Sequence, residues 1–514
     1  MSTVIVIGAG MGGLAAAAEL ARIGHSVTVI EKGDQPGGKI RTIAVEGALI
    51  DAGPTVLTMK PVFDDLFARH GRVFSDDVPQ ERLDVLARHF WPDGSRLDLF
   101  ADRARSYDAI AHFAGRQEAD GFAAFATEAS QLYALLQDTF IFSERKGTAG
   151  MIGALGLSGL AALTKIGPFA TLWKTLGRFF KDERIRQLFA RYATYSGGSP
   201  FLSPATLMLI ADVEMQGVYH LNNGMASLAK AMEALVTMQG GTLRYGSGVS
   251  KILVKNGRVG GVVLTDGQTI EADRVIFNGD TAALAHGLLG EGVRNAGLPM
   301  APKNRSLSAV TWAGRPAWCG DQLVHHNVFF DEDYRSEFDD VFIKRRLPQK
   351  PTLYLCAQDR GNSDVNHDHE RMFMLVNAPA DGEKRISDSA LIAVEERVLR
   401  HLKRIGVSCD LSSFVRTTPY EFESLFPATG GALYGAAPHG WIRSVSRGAA
   451  RTSIEGLYRC GGSVHPGAGV PLATLSGLKA ASALMMDGAS IRSSHRTAIS
   501  GGMSTPSVPT ERMV

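Results

Sequence analysis

An α/β architecture with a parallel sheet, a second mixed sheet and a helical region is predicted by three features of the sequence. A strand, a glycine-rich turn, a helix and a second strand follow one another up to Glu31. A dense series of short β-runs lies between Thr242 and Phe277, with further runs as far as Asn377. Between them, about Ser106 to Gly217, the pattern is mostly helical.

Val4–Ile7 is a short apolar strand. Met11–Ile23 is rich in Ala and Leu and reads as a helix, with Gly24 where a C-cap glycine belongs. Val27, Val29 and Ile30 make the next strand, so the opening is a βαβ unit. Ala226–Met238 places Leu228, Met232, Leu235 and Val236 on one helical face, and Gly240-Gly241 ends it. Thr242–Tyr245, Val249–Val254, Val259–Thr265, Thr269–Ile270 and Arg274–Phe277 read as strands, with Asn256-Gly257 and Asp266-Gly267 as hairpin turns. Ser306–Trp312, Leu323–Phe330, Thr352–Cys356 and Met372–Asn377 suffice for the second sheet. Leu391–Leu402 reads as an amphipathic helix and Leu472–Met485 as the last ordered one. Beyond Asp487 the composition turns to Ser, Thr, Gly and Pro, and a disordered tail is expected.

With 514 residues, two to four domains are expected. A net charge of +2 gives no reason to expect a nucleic-acid partner. Cys319, Cys356, Cys409 and Cys460 lie far apart, which predicts neither a zinc site nor a disulfide framework and fits a reducing compartment. The first strand begins too early for a signal peptide to precede it, so a cytoplasmic protein is the expectation. One stretch disturbs that expectation. Thr148–Thr164 carries no charge, and beyond it Phe169, Leu172, Trp173, Leu176, Phe179 and Phe180 recur at helical spacing among Lys174, Arg178 and Lys181. That suits a helix lying in a membrane interface; a buried helical hairpin is the alternative, and a true span is disfavoured by four glycines.

Gly8-Ala9-Gly10-Met11-Gly12-Gly13 matches GxGxxG in the required strand–helix context. Gly8 permits the turn, Gly10 lets backbone approach a pyrophosphate at the positive end of the helix, and Gly13 lets helix and strand pack. Glu31 ends the second strand where a carboxylate accepts from ribose hydroxyls, and it disfavours NADP. Lys32 follows, and then a second glycine loop, Gly37-Gly38-Lys39-Ile40-Arg41-Thr42, for which an NAD dehydrogenase has no need.

This succession resembles Rossmann-like flavoproteins of the amine-oxidase and glutathione-reductase type. The resemblance implies non-covalent FAD, with Gly38, Lys39 and Arg41 along pyrophosphate and ribitol, and Gly53 and Pro54 of Asp51-Ala52-Gly53-Pro54 beneath the flavin ring. It further implies Val249 at adenine, Asn278 and Asp280 near the pyrophosphate, and Gly462, Ser463, Gly469 and Val470 in the late turn and helix start at the flavin. His465-Pro466-Gly467-Ala468-Gly469-Val470-Pro471 is the most specific stretch. It resembles the signature of bacterial carotenoid desaturases of the phytoene desaturase type. Cys460–Val464 and Phe426–Gly435 are similar to the 1-hydroxycarotenoid 3,4-desaturases of hydroxyneurosporene type.

The resemblance implies C-3,4 desaturation of a lipophilic acyclic 1-hydroxycarotenoid, with hydride passing to flavin N5 and the resulting charge spread along the polyene. It also implies peripheral association with the inner membrane, where such a substrate resides. The expected organisation is a discontinuous FAD domain (1–80, 218–290, 451–487), a substrate domain (81–105, 291–450), a helical membrane-contacting region (106–217) and the tail (488–514).

His465 is the candidate proton acceptor; the alternative is a ring that hydrogen-bonds its own loop. Asp51 reads as an acceptor of a backbone bond rather than a base. Tyr195, Glu214, Tyr219 and His325 are candidates for recognising a terminal hydroxyl. His325-His326 reads as a strand-edge pair with no metal, since no third ligand is spaced with it. Phytoene or neurosporene desaturation, carotenoid isomerisation, amine oxidation with flavin attached at Cys460, and a noncatalytic escort for prenylated partners are the rival readings.

Overall fold

Burial decides the central layer. In the computed structural model, which describes residues 1–144, 170–320, 322–360, 368–445 and 447–498, the apolar run Thr3–Ile7 is the middle strand of a five-stranded parallel sheet. The order across it is Leu457–Arg459, Arg274–Phe277, Thr3–Ile7, Ser26–Ile30 and Thr242–Arg244. Strands buried on both faces need continuous apolar runs, and the two central strands have them in Val4–Ile7 and Val275–Phe277. The helix Met11–Arg22 packs with Met225–Met238 and the closing helix Val470–Ala498 on one side. Its Ala15–Ala18 are fully buried, and their small side chains let these helices approach closely.

The second sheet has seven strands, in the order Val415–Thr417, Ser308–Gly314, Met372–Ala378, Leu353–Ala357, His326–Phe329, Val85–Phe90, Arg96–Phe100. Its pairs are antiparallel except that of His326–Phe329 with Val85–Phe90, so the sheet is mixed. Period-two alternation gives it two packed faces. Leu353, Leu355, Phe329 and Phe90 meet the helix Asp388–Arg404 through Leu391, Val394 and Val398. Val328, Phe330, Leu97 and Leu99 meet the helical layer through Phe122, Phe125, Leu188 and Phe189. The strands Val85–Phe90 and Arg96–Phe100 were hidden from pattern reading because Arg88 and His89 interrupt the apolar run. Arg88 is held across the hairpin by both oxygens of Asp98, at 2.7 Å each.

The helical layer is Arg103–Ala114, Arg116–Leu136, Glu183–Ala190 and Leu209–Gln216. The uncharged stretch Thr148–Thr164 and Phe169 lie outside the described residues. The apolar stripe that follows is not an interfacial helix: helix is confined to Leu172–Leu176, and Leu172, Leu176 and Phe180 are buried in the helical core. The spacing is real, but Phe125, Phe180 and Phe189 consume the stripe as protein packing, with ring centroids 4.7–5.6 Å apart. No helix among the described residues is long and apolar enough to cross a membrane. The closing helix runs through Ala498, past the expected start of the tail at 488.

Candidate functional site

The glycine turn after Thr3–Ile7 is a packed structure before it is a binding loop. A Cβ on Gly13 would lie 2.2 Å from the Gly8 carbonyl oxygen, so helix and strand pack as closely as the motif implies. Asn278, at the end of the neighbouring strand, fills the turn: its Nδ2 donates to the Gly8 carbonyl at 3.1 Å and would sit 2.9 Å from a Cβ on Gly10. Its Oδ1 accepts from the Cys460 thiol at 3.4 Å. That thiol is buried, burial pushes its pKa up, and it lies beneath the turn, all unfavourable for flavin attachment. Asn278 is therefore a pin that positions the turn.

Glu31 joins the loops. Its Oε2 accepts the Ala9 amide at 2.7 Å and its Oε1 the Gly33 amide at 2.8 Å, leaving further lone pairs for a ribose. Val249 opens a three-stranded antiparallel sheet, two residues past Ser247, whose amide donates to the Glu31 carbonyl. Lys32 turns elsewhere, donating to the Leu425 carbonyl at 2.6 Å. The second glycine loop passes close to the strand end Asp51–Pro54: a Cβ on Gly53 would come 2.0 Å from the Lys39 carbonyl oxygen. Asp51 accepts the Met225 amide at 2.7 Å, at the start of the helix Met225–Met238, and burial raises its pKa.

Charge is what this groove leaves unbalanced. Lys39, Arg41 and Arg447 are largely enclosed, and burial lowers the basicity of each, Arg447 to about 10. Asp280 is the carboxylate set against Lys39 and Arg447, and Arg41 Nε has no hydrogen-bond partner among the described residues. Two enclosed cations, Lys39 and Arg447, that share one carboxylate suit an anionic ligand. A pyrophosphate suits them, so the residues present fit FAD. Arg447, absent from any motif, also donates to the carbonyls of Tyr434 and Gly462 and ties the late turn in place. Ser463 Oγ accepts the Thr281 amide, next to Asp280, at 3.1 Å. Gly469 and Val470 begin the closing helix, and a Cβ on Gly469 would meet open space.

His465 is buried, its Nε2 3.2 Å from the Ser143 carbonyl and its ring edge-on to Phe140 at 4.9 Å. A carbonyl only accepts, so Nε2 carries the proton and donates. The hydrogen bond ties the signature loop to another element, and with the proton on Nε2 the basic nitrogen of the ring is Nδ1.

The second polar region lies between the helical layer and the second sheet. Tyr195 and Tyr192 both donate to Glu214, Tyr195 at 2.5 Å, and Arg191 Nη1 donates to the Tyr195 hydroxyl at 3.1 Å. From the sheet side, Tyr354 Oη meets Thr55 Oγ1 at 2.6 Å and His326 Nδ1 at 2.8 Å. Tyr354 and His326 sit on the sheet face that carries Val328 and Phe330 toward the helices. Burial first, then His325 and Arg191, hold the His326 pKa well below its ordinary value, so the ring is neutral. Two atoms here, His326 Nε2 and Arg191 Nε, are buried without a hydrogen-bond partner among the described residues.

Of the hydroxyl candidates, Tyr195 and Glu214 come together. His325 packs edge-on against the neighbouring His326 on the sheet side, and Tyr219 belongs to a separate two-stranded pairing with Arg82. Contrary to what spacing along the chain implies, His325-His326 has a third ligand type beside it: Cys356 on the next strand, with donor atoms of all three within 4.8 Å. An open groove of about 640 Å³ runs past Asp51, but Arg72, Asp77, Lys230 and Arg371 in its wall make it a poor channel for a hydrocarbon.

Residues 11–485 match the model of the flavin containing amine oxidoreductase family. The chain is 50% identical to a hydroxyneurosporene desaturase of Rubrivivax gelatinosus, over 99% of this chain and 98% of that one. It is 30% identical to a 1-hydroxycarotenoid 3,4-desaturase of a Flavobacterium, over 93% and 97%. Among solved structures, cyclohexylamine oxidase from Brevibacterium oxydans superposes with a TM-score of 0.57 at 15% identity, covering 95% of this chain and 99% of that one, which shows a shared fold.

Proposed function

The chain belongs to the flavin containing amine oxidoreductase family and, within it, to the carotenoid desaturases; from that premise we propose that it introduces a C-3,4 double bond into acyclic 1-hydroxycarotenoids of the hydroxyneurosporene type. The observation that carries this reading is the 50% identity to the Rubrivivax gelatinosus hydroxyneurosporene desaturase, over 99% of this chain and 98% of that one.

Bound FAD supplies the two-electron oxidant for a CH2–CH2 unit. Lys39, Arg41 and Arg447 would hold its pyrophosphate and Glu31 its adenosine ribose, with Gly53, Pro54 and the Gly469–Val470 helix start as the backbone available to the flavin. Charge that develops on the substrate is spread along its conjugated chain, so the protein supplies position and dryness rather than a counter-charge. The packed aromatic wall of Phe122, Phe125 and Phe189 keeps water from the helical side. We assign no acid–base role to His465.

Contact with a membrane is peripheral on this reading, and the described surface offers a place for it. Leu202 and Ile343 are 45% and 69% exposed, Gly440 ties Leu202 to the loop whose His439 packs on Phe342, and Lys344, Arg346 and Arg335 flank the patch.

The test is product analysis. Purified protein with FAD and liposomes is given 1-hydroxyneurosporene or phytoene, and products are read by absorbance and mass. Loss of two hydrogens with a red shift from the hydroxylated substrate is the expected result. Turnover of phytoene alone, or a product of unchanged mass, overturns the reading.

A further inference from the structure

A hydrocarbon has no use for buried polar atoms, yet the polar cluster that joins Thr55, just past the strand end Asp51–Pro54, to the second sheet leaves one unsatisfied. His326 Nε2 is 3% exposed as a residue and unpartnered among the described residues, while its Nδ1 is fixed on Tyr354, which is fixed on Thr55. An atom left unsatisfied in a buried place is a cost to the fold, and a ligand that satisfies it removes that cost.

The chemistry of that ligand follows from the ring. If Tyr354 donates to Nδ1, Nε2 carries a proton and donates; if Nδ1 donates to Tyr354, Nε2 accepts. A hydroxyl both donates and accepts, and so suits either tautomer.

Position adds a second constraint. In a 1-hydroxy substrate oxidised at C-3,4, two bonds separate the carbon bearing the hydroxyl from the nearer oxidised carbon. The hydroxyl must therefore bind within a few ångströms of the reacting carbons, beside the flavin and not at the far end of a channel. Thr55, where the chain to His326 begins, directly follows Gly53 and Pro54. Across the chamber Arg191, Tyr195 and Glu214 keep the helical wall polar, with Arg191 Nε also unpartnered among the described residues.

We propose that His326, held by Tyr354 and Thr55, binds the tertiary hydroxyl of the carotenoid and selects hydroxylated over unhydroxylated polyenes. This rests on the reaction proposed above. His326 is the contacting residue, and Tyr354 and Thr55 position it.

The experiment compares kcat/KM for 1-hydroxyneurosporene and for neurosporene in the flavin-loaded wild type, His326→Leu and Tyr354→Phe. The hydroxylated substrate is expected to be preferred by the wild type, and each variant to shrink that preference by about tenfold or more while retaining its flavin spectrum. Activity on both substrates falling in parallel, or an unchanged ratio, overturns the subsite. So does a stoichiometric metal found by elemental analysis, which would occupy His326 Nε2. If either variant fails to fold, Thr55→Val reads the same ratio from the other end of the chain. A wild type that ignores 1-hydroxyneurosporene is a different failure: it sinks the reaction itself and the subsite with it.

Discussion

The cofactor groove and the polar chamber both bury charged side chains, but they balance them in opposite ways. In the groove, Lys39, Arg41 and Arg447 outnumber the facing carboxylate Asp280, so the charge is completed by what binds. In the chamber, Arg191 sits 4.0 Å from Glu214 and hydrogen-bonds Tyr195, so the charge is completed by the fold itself. Burial works to discharge Arg191, but Tyr195 and Glu214 outweigh it and hold the guanidinium charged. The lesson is that buried charge marks a ligand site only where its partners run short. The same residue types, fully paired, belong to the architecture and leave single atoms, not whole charges, for a ligand.

That contrast is broken most directly at Glu214. Glu214→Ala strands Arg191 without its carboxylate, and breaking a buried pair costs about 3–5 kcal/mol. Urea unfolding should show a loss of that size, with FAD affinity of the surviving folded protein little changed. A loss of flavin at unchanged stability would show that the chamber, too, is balanced by the cofactor.

A pH profile sharpens it next. Glu337 is fully buried, accepts from Thr352 and Asn377, and burial lifts its pKa from 4.5 to about 7. A raised folded pKa means the fold prefers the neutral acid. The contribution is complete below about pH 4.5 and is lost as pH rises through about 7, up to roughly 3 kcal/mol. Glu337→Gln should flatten stability over that window, read as the urea midpoint at pH 5, 6 and 7.5. A wild-type profile already flat there would show that the hydrogen bonds from Thr352 and Asn377 keep the carboxylate charged.

In the groove the expected failure is of the opposite kind. Lys39→Met removes a buried cation that the fold barely compensates, so stability of the apoprotein should hold or rise. FAD affinity should fall about tenfold to a hundredfold, as for loss of a charge-assisted hydrogen bond. Flavin fluorescence titration reads it.

These two regions also differ in how much of them could be read from sequence. The groove was legible because its parts are local: Gly8–Gly13, Glu31, Gly37–Arg41 and Asp51–Pro54 fall within the opening βαβ unit and its hairpin. Steric demands at Gly13 and Gly53 write themselves as glycines. Arg447 escaped, because it comes from a stretch without a motif and acts through carbonyls of residues before and after it. The chamber was mostly illegible. Tyr195 and Glu214 could be named as polar residues in apolar surroundings, but Thr55, Tyr354 and His326 meet only when a strand end and two strands of the second sheet come together. Pairing of His326 with Cys356 across two strands is likewise invisible to spacing along the chain. The stripe Leu172–Phe180 failed for a related reason: periodicity reports that a face is buried, not whether lipid or protein buries it.

The smallest effect on the fold is expected at the exposed patch, and it separates those two kinds of burial. Ile343 is 69% exposed, so Ile343→Ser should change stability by no more than about 0.5 kcal/mol. If Leu202 and Ile343 meet lipid, the same substitution removes apolar area from that contact, and co-sedimentation with anionic liposomes should weaken by about threefold to tenfold. Leu176→Ser is the counterpart: the side chain is fully buried, so the cost should fall on folding, not on lipid binding. Equal liposome binding by Ile343→Ser and the wild type would return the membrane contact to the stretch between Thr148 and Thr164, where its uncharged composition first suggested it.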